Sequence, residues 1–234
     1  MSKTIGILGG MGPYATLDLF EKILLNTPAE IDQDHLKIII NNNPKIPSRK
    51  AFINQSESPL NELIKSARLL EEAGADFIIM PCHTAHLWWN EVKETIKIPF
   101  YSMVENTVER TISQYENREN KNILFLATGT TVQSQIYQNA FKNSPFQLII
   151  PTNKEQEIVD QAIKSIKAGL LQDNFYIGKL KTIIDHYHQK GVSLLIGCCT
   201  EIPLMYPYFG KQMEMIDPTL MLAIMAVKES MRAN

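Results

Sequence analysis

Gly74-Ala-Asp-Phe-Ile-Ile-Met-Pro-Cys82-His-Thr84 is echoed later in the chain as Gly191-Val-Ser-Leu-Leu-Ile-Gly-Cys-Cys199-Thr-Glu201. Each copy opens on a glycine, runs through an apolar stretch and reaches a cysteine eight residues on, with a threonine just after it. An apolar run of this length between a glycine and a polar turn reads as a buried strand. The exit of a buried strand is where α/β folds place their ligands. Two cysteines at equivalent exits, one in each half, point to a site with a thiol on either side.

Working outward, the first half reads as strand and helix in alternation. Thr4 to Leu8 is a strand, Gly9-Gly10-Met11-Gly12-Pro13 a turn, and a helix follows to about Leu25, with Pro13 suited to its first position. Leu36 to Ile40 is a second strand, closed by Asn41-Asn42-Asn43-Pro44, and a polar loop to Asn54 contains Arg49. Leu60 to Ala73 has helical spacing and ends at Gly74. After the quoted strand come a helix through Trp88-Trp89, a fourth strand at Ile98 to Tyr101 and a helix from about Val104. The pattern then restarts. Asn122 to Leu126 is a strand ending in Thr128-Gly129-Thr130-Thr131, followed by a helix through Phe141, a strand at Phe146 to Ile150 and helices at Glu155 to Ala168 and Gly178 to Lys190. The second quoted copy, a last strand at Met213 to Ile216 and a helix from Pro218 to Met231 complete the chain.

The expected fold is therefore α/β, with two pseudo-symmetric domains built on mainly parallel sheets and the active site in the cleft between them. We expect residues 1–102 and 205–234 to form the N-terminal domain, closed by the C-terminal strand and helix, and 103–204 to form the second.

Composition limits the function classes. The 234 residues are 44% apolar and 21% charged, ordinary for a globular protein. A net charge of −2 gives no case for nucleic acid or an anionic membrane, and no apolar stretch reaches spanning length. Three cysteines make no disulfide framework. With an opening that runs directly into a strand, no signal peptide is expected and a cytoplasmic location is.

Gly10-Met-Gly12-Pro-Tyr-Ala15 has the spacing of a dinucleotide fingerprint, but the second strand ends in Asn41 rather than the acidic residue that would bind ribose. Amides at this helix start suit a smaller anion such as a carboxylate. Cys82-His83-x-x-His86 resembles a metal site without a fourth ligand or a standard zinc spacing, so no metal is expected. His86 reads either as a group orienting the thiol or as a satisfied helix histidine. Cys198 should point to the opposite side of the strand from Cys199 and reads as structural. Arg49 and Lys167 are candidate carboxylate partners.

The stretches Ile5-Gly-Ile-Leu-Gly-Gly-Met-Gly-Pro13, Asn42-Asn-Pro-Lys-Ile-Pro-Ser-Arg49, Pro81-Cys-His-Thr-Ala-His86, Ala127-Thr-Gly-Thr130 and Cys199-Thr-Glu-Ile-Pro-Leu204 together resemble the cofactor-independent aspartate/glutamate racemases, most closely their aspartate racemase branch. The resemblance implies a dimer of two-domain subunits that uses no pyridoxal phosphate or other cofactor. It implies catalytic thiols at Cys82 and Cys199 and side-chain carboxylate partners at Arg49 and Lys167, with Lys164 one turn away as the alternative. Met11, Asn42, His83, Thr84, Thr128, Thr130, Thr200 and Glu201 fall in the matched stretches and are expected to contact substrate. That substrate is a small dicarboxylic amino acid, aspartate first and glutamate second. The chain departs from the family at His83 (usually Asn), Ser48 (Asp), Cys198 (Gly) and Gln135 (Gly). A neighbouring reading is a cysteine-dependent isomerase or decarboxylase of a dicarboxylate; another is a carboxylate-binding protein without turnover.

The implied chemistry suits two thiols. Racemisation removes the Cα proton from one face and returns one to the other, so one base starts as thiolate and its partner as thiol. A free thiol ionises near ~8.5, so activation needs local positive potential, for which helix starts after Cys82 and Cys199 are the expected source. At position 83 an imidazole would make any carboxylate contact depend on pH.

Overall fold

The computed structural model describes residues 2–232. The chain divides into two compact units, one taking residues up to Asn106 and from Thr219 onward, the other Thr107–Pro218.

The first unit is built on a three-stranded parallel sheet of β1 (Ile5–Gly9), β2 (Ile38–Asn42) and β3 (Phe77–Ile79) in the order β2-β1-β3. Its helices are α1 (Pro13–Asn26), α2 (Ala51–Asn54), α3 (Leu60–Glu72), α4 (Trp89–Lys93) and the start of α5 (Met103–Tyr115). Every residue of β1 and β3 is buried, as a parallel sheet covered on both faces requires. Side chains alternate between those faces. Ile5, Ile7, Phe77 and Ile79 pack with Leu19 and Ile23 of α1, whereas Leu8 and Ile78 pack with Leu63 and Ala67 of α3.

The second unit has a four-stranded parallel sheet of β4 (Asn122–Leu126), β5 (Gln147–Ile149), β6 (Leu194–Gly197) and β7 (Glu214–Ile216), in the order β5-β4-β6-β7. Its helices are α6 (Gly129–Ser134), α7 (Ile136–Phe141), α8 (Asn153–Lys167) and α9 (Ile177–Gln189). On one face Leu124, Leu126 and Leu195 pack with Val159, Ala162 and Ile163 of α8 and with Leu180 and Ile184 of α9. On the other, Phe125 meets Tyr137 of α7 with ring centroids 5.5 Å apart. The last helix, α10 (Pro218–Met231), returns to the first unit, where Leu222, Ala223 and Ala226 cover Ile5 and Ile7.

The repeat seen in the sequence begins at a helix stop. Gly74 (φ 90°) and Gly191 (φ 86°) both sit in the left-handed region, which glycine enters without a Cβ clash. The amides of Gly74 and Ala75 bond the carbonyls of Glu71 and Leu70; those of Gly191 and Val192 bond His188 and Tyr187. Both are Schellman closures, each with its accompanying apolar contact, Leu70 with Ala75 and Tyr187 with Val192. Each closure aims the chain into the strand that ends at a cysteine.

Three expectations are corrected. The C-terminal strand does not close the first domain: β7 pairs with β6, so residues 205–218 belong to the second unit and α10 alone returns. The other boundary falls at 106 within α5, not at 102. The fourth strand expected at Ile98 to Tyr101 is a single parallel bridge, Ile78 to Phe100. Each cysteine leads into a 3₁₀ segment: Thr84–Trp88 after Cys82, which runs on into α4, and Pro203–Tyr208 after Cys199. Pro203 and Pro207 explain the second, because proline amides cannot donate to a helix ladder.

His86 fixes the loop that carries Cys82. Its Nε2 lies 2.9 Å from the Met103 N–H, which can only donate, so Nε2 accepts and Nδ1 carries the ring proton. Nδ1 then donates to the Cys82 carbonyl at 2.8 Å. This neutral imidazole ties the Cys82 backbone to the start of α5. Burial lowers its pKa to about 4, against the opposing effect of the Cys82 carbonyl bond.

Two outcomes follow from these details. The folded pKa of His86 lies below the unfolded value near 6.5, so the unfolded chain binds the proton first. Its contribution is present above that value and is lost as pH falls toward about 4. His83 shifts the same way and adds to the same limb. Urea denaturation across this window should show stability falling on acidification. His86→Gln should lose about 1–3 kcal/mol at neutral pH, and its deficit should shrink as pH drops; a constant deficit would mean that the ring is not buried neutral. Separately, Gln135 has φ 56°, between α6 and α7, in the left-handed region that favours glycine. Gln135→Gly should raise stability by up to about 1 kcal/mol in thermal melts, and a destabilised variant would contradict strain at this turn.

Candidate active site

All the expected site residues of the first unit except Met11 lie on β2 or on the loops that follow β2 and β3. β3 is followed by Met80, Pro81 and Cys82, whose amide bonds back to Met80 O at 2.9 Å. Cys82 is 6% exposed and packs in one cluster with Leu8, Met11, Ile46 and Ala85. Met11 is part of this buried cluster, so its side chain supports the Cys82 loop from the core. Thr84 is buried at the start of the 3₁₀ segment. Trp88 and Trp89 pack against the same cluster, Trp89 against Phe100. Asn42 ends β2 opposite Gly9 and is exposed. Arg49 is half-buried and folds onto its own loop, with Nη1 donating to Pro47 O at 3.2 Å and, weakly, to Ile46 O at 3.5 Å.

Two sequence readings change in this unit. His83 is buried, and desolvation, reinforced by His86, holds its pKa well below the usual histidine range. It is therefore neutral at physiological pH, and the expected pH-dependent charge at this position is not present. Both ring nitrogens of His86 are committed to backbone groups, so it cannot serve as a metal ligand. The Gly10 amide, expected to face an anion, donates instead to Thr16 Oγ1 at 2.9 Å.

In the second unit the site residues sit at the ends of β4 and β6. Thr128 caps α6, accepting from the Thr131 amide at 3.2 Å, and Thr130 is buried in the first turn. The Cys198 amide bonds Leu126 O at 2.8 Å, which locks the end of β6 beside that of β4. The two adjacent cysteines diverge there. Cys199 joins the apolar cluster formed with α8 and α9. Cys198 is fully buried and hydrogen-bonds Tyr137, on the other face. The two side chains thus have different neighbours, as their adjacent positions at the strand end indicated.

Helix α8 lies across this carboxyl edge. Near its start, Gln156 Nε2 donates to Ala127 O at 2.9 Å. One turn on, Asp160 Oδ1 accepts from the Gly129 amide at 2.9 Å. At its end Lys167 Nζ is 3.7 Å from Glu201 Oε1. Closure of α8 by Gly169 and Leu170, bonded to Ile166 and Ser165, fixes that last turn. Of the two lysines, Lys167 is the one that meets Glu201, and both are exposed on the helix.

The remaining contact was not anticipated. The Cys199 thiol donates to Glu201 Oε2 at 2.9 Å, and Thr200 Oγ1 makes a weaker 3.5 Å contact with the same oxygen. Glu201 is 1% exposed, so it is a buried acid facing a thiol and an ammonium, not a surface contact for an anionic substrate. Burial pushes the Cys199 thiol well up, and the Glu201 charge adds to this against the opposing pull of Lys167. The expected activation of this thiol by a helix start is absent, and Cys199 holds its proton here. A carboxylate two residues after a buried-strand cysteine was visible in the sequence, but nothing there showed that it turns back on the thiol.

The chain can now be set beside known proteins. Residues 8–226 match the family model described as Asp/Glu/Hydantoin racemase. The broad specificity amino-acid racemase RacX of Bacillus subtilis is 28% identical over 225 residues, covering 94% of each protein. The solved structure of Picrophilus torridus aspartate racemase superposes with a TM-score of 0.85 at 34% identity, covering 97% of this chain and 94% of that one. A glutamate racemase from Francisella tularensis, solved with D-glutamate, shares the fold with a TM-score of 0.69 at 18% identity, covering 97% of this chain and 80% of that one. With two parallel-sheet α/β units, a cysteine at the same exit in each and a family match across nearly its whole length, the chain belongs to the Asp/Glu/hydantoin racemase family and is an isomerase of the racemase kind.

Proposed function

We propose that this protein racemises an acidic amino acid, aspartate first and glutamate second, without pyridoxal phosphate, using Cys82 and Cys199 as the two bases. The observation that carries the reading is the pairing of equivalent thiols. Each follows a Schellman glycine and a buried strand, each is 6% exposed, and each belongs to its own unit's core cluster. Two thiols held in this way meet the need for one base on each face of Cα.

Charge supports an anionic substrate. The Lys167 ammonium is 34% exposed on the side chain while its partner Glu201 is sealed, so a ligand carboxylate can reach the cation without displacing the buried ion. Arg49 offers a second cation whose planar fork suits a carboxylate. In this reading Thr84, Thr200 and turn amides stabilise the developing carbanion, and exclusion of water would strengthen them. The protein acts in the cytoplasm, where its thiols stay reduced, and as a homodimer, as the resemblance implies. The full-length likeness to a racemase named for broad specificity favours testing non-acidic amino acids beside the acidic ones.

Purified protein should convert L-aspartate or L-glutamate to its antipode without added cofactor, measured by chiral chromatography. No antipode from any amino acid in the panel would defeat the reading. Cys82→Ala and Cys199→Ala should each lower the rate by at least about a hundredfold, the lower range for removing general acid–base catalysis. Cys198→Ala should keep most of the activity, because its thiol bonds Tyr137 on the far face of the sheet. Full racemisation by either of the first two variants would remove that cysteine from the chemistry.

A further inference from the structure

Gly129 is not held in the left-handed region, as the glycines that stop the long helices are. Its requirement is steric. A Cβ at this position would lie 2.9 Å from Asp160 Oδ2, closer than side-chain carbons approach an oxygen unless something shifts. The carboxylate of Asp160 therefore sits directly on the turn that follows β4. Its other oxygen, Oδ1, accepts from the Gly129 amide at 2.9 Å. One helical turn earlier, Gln156 Nε2 donates to Ala127 O at 2.9 Å and, weakly, to Asp160 Oδ1 at 3.3 Å. Helix α8 thus grips the turn by a carbonyl, an amide and the bare face of a glycine.

The same helix carries Lys167. Gln156, Asp160 and Lys167 follow at spacings of four and seven residues, which puts them along one stripe of α8. At the helical rise of 1.5 Å per residue, the axial span from Asp160 to Lys167 is about 10 Å. Val159, Ala162 and Ile166 seal the helix against the strands and α9, so that span cannot slide. At the gripped end is Thr130, which is buried and whose hydroxyl takes no hydrogen bond among the described residues. The Thr128 hydroxyl, by contrast, is engaged with the amide and hydroxyl of Thr131.

Resting on the racemase reading, in which Thr130 and Lys167 contact the substrate, we propose that Gln156 and Asp160 are positioning residues that set the Thr130 hydroxyl at a fixed span from the Lys167 ammonium, and that this span selects the chain length of the acidic amino acid. Neither residue touches the substrate. Lys167 takes the side-chain carboxylate and Thr130 another polar group of the same molecule. Aspartate and glutamate differ by one methylene, so only one of them satisfies both contacts at once. A turn released from α8 would follow either ligand, and the choice between them would fade. A clamp that only stiffened the fold would change stability and leave that choice as it was.

The test is the ratio of kcat/KM for L-aspartate to that for L-glutamate, measured with thermal melts on the same samples. Wild-type protein should discriminate between the two acids by at least about tenfold, the lower range for a single methylene. Asp160→Ala should lose most of that discrimination, through KM more than through kcat. Asp160→Asn still offers the Gly129 amide an oxygen acceptor and should recover it. Gly129→Ala leaves both clamp residues in place but drives the turn off Asp160, so it should lose discrimination as Asp160→Ala does. Added to Asp160→Ala, where the obstructing oxygen is gone, Gly129→Ala should change little more. If Asp160→Ala does not fold, Gly129→Ala reads the same quantity. Unchanged discrimination in either variant, in protein that melts cooperatively, would overturn the inference and leave the racemase reading standing. So would a wild type that takes both acids equally, or takes neither while racemising another amino acid. A wild type that racemises nothing would defeat the reading itself, and this inference with it.

Discussion

A buried carboxylate beside a buried thiol is the constraint around which the second unit is arranged. Isolated, the Glu201 charge would be too costly to seal, since ions are buried only when paired and hydrogen-bonded. Lys167 supplies the pairing, and its position depends on the whole of α8. That helix is held along the carboxyl edge of the sheet by Gln156 at the end of β4 and Asp160 at the following turn, and it is closed immediately after Lys167. Its apolar side, with Val159, Ala162, Ile163 and Ile166, is sealed on the strands and α9. The elements that make the core thus also set the distance from ammonium to carboxylate to thiol.

The first unit holds its cysteine with neutral groups. Cys82 is placed by a tight turn to Met80, by packing on Met11 and Ile46, and by an imidazole that bridges its carbonyl to the Met103 amide. With His86 neutral through the physiological range and His83 likewise, no titrating cation stands beside this thiol on the imidazole side. The internal repeat is therefore symmetric in backbone and asymmetric in electrostatics. Its two thiols therefore sit in different charge environments.

Much of the layout was legible in the residues. The two glycine-to-cysteine stretches gave the strands and their helix stops because a left-handed glycine before a continuous apolar run has few other uses. The opposite facing of Cys198 and Cys199 was legible because strand side chains alternate. What stayed hidden depended on partners distant in sequence. β7 is three residues long, and no local signal says that it pairs with β6 instead of joining the first sheet. The role of His86 hung on the Met103 amide, seventeen residues away. Glu201 was expected to contact substrate on the strength of the family resemblance alone. Its turn toward Cys199 is set by α8 and Lys167, which the local sequence does not show.

The central claim is that two thiols work on opposite faces of one Cα. It is tested most directly by running wild-type racemisation in D₂O and examining the first few per cent of conversion by NMR and chiral separation. With two bases, the antipode carries deuterium at Cα from the first turnover, because its proton comes from the opposite, solvent-exchanged thiol. The recovered starting enantiomer keeps its protium, returned by the thiol that removed it. Antipode that retains protium from the start would show that a single base moves the same hydrogen from face to face, and would contradict the account.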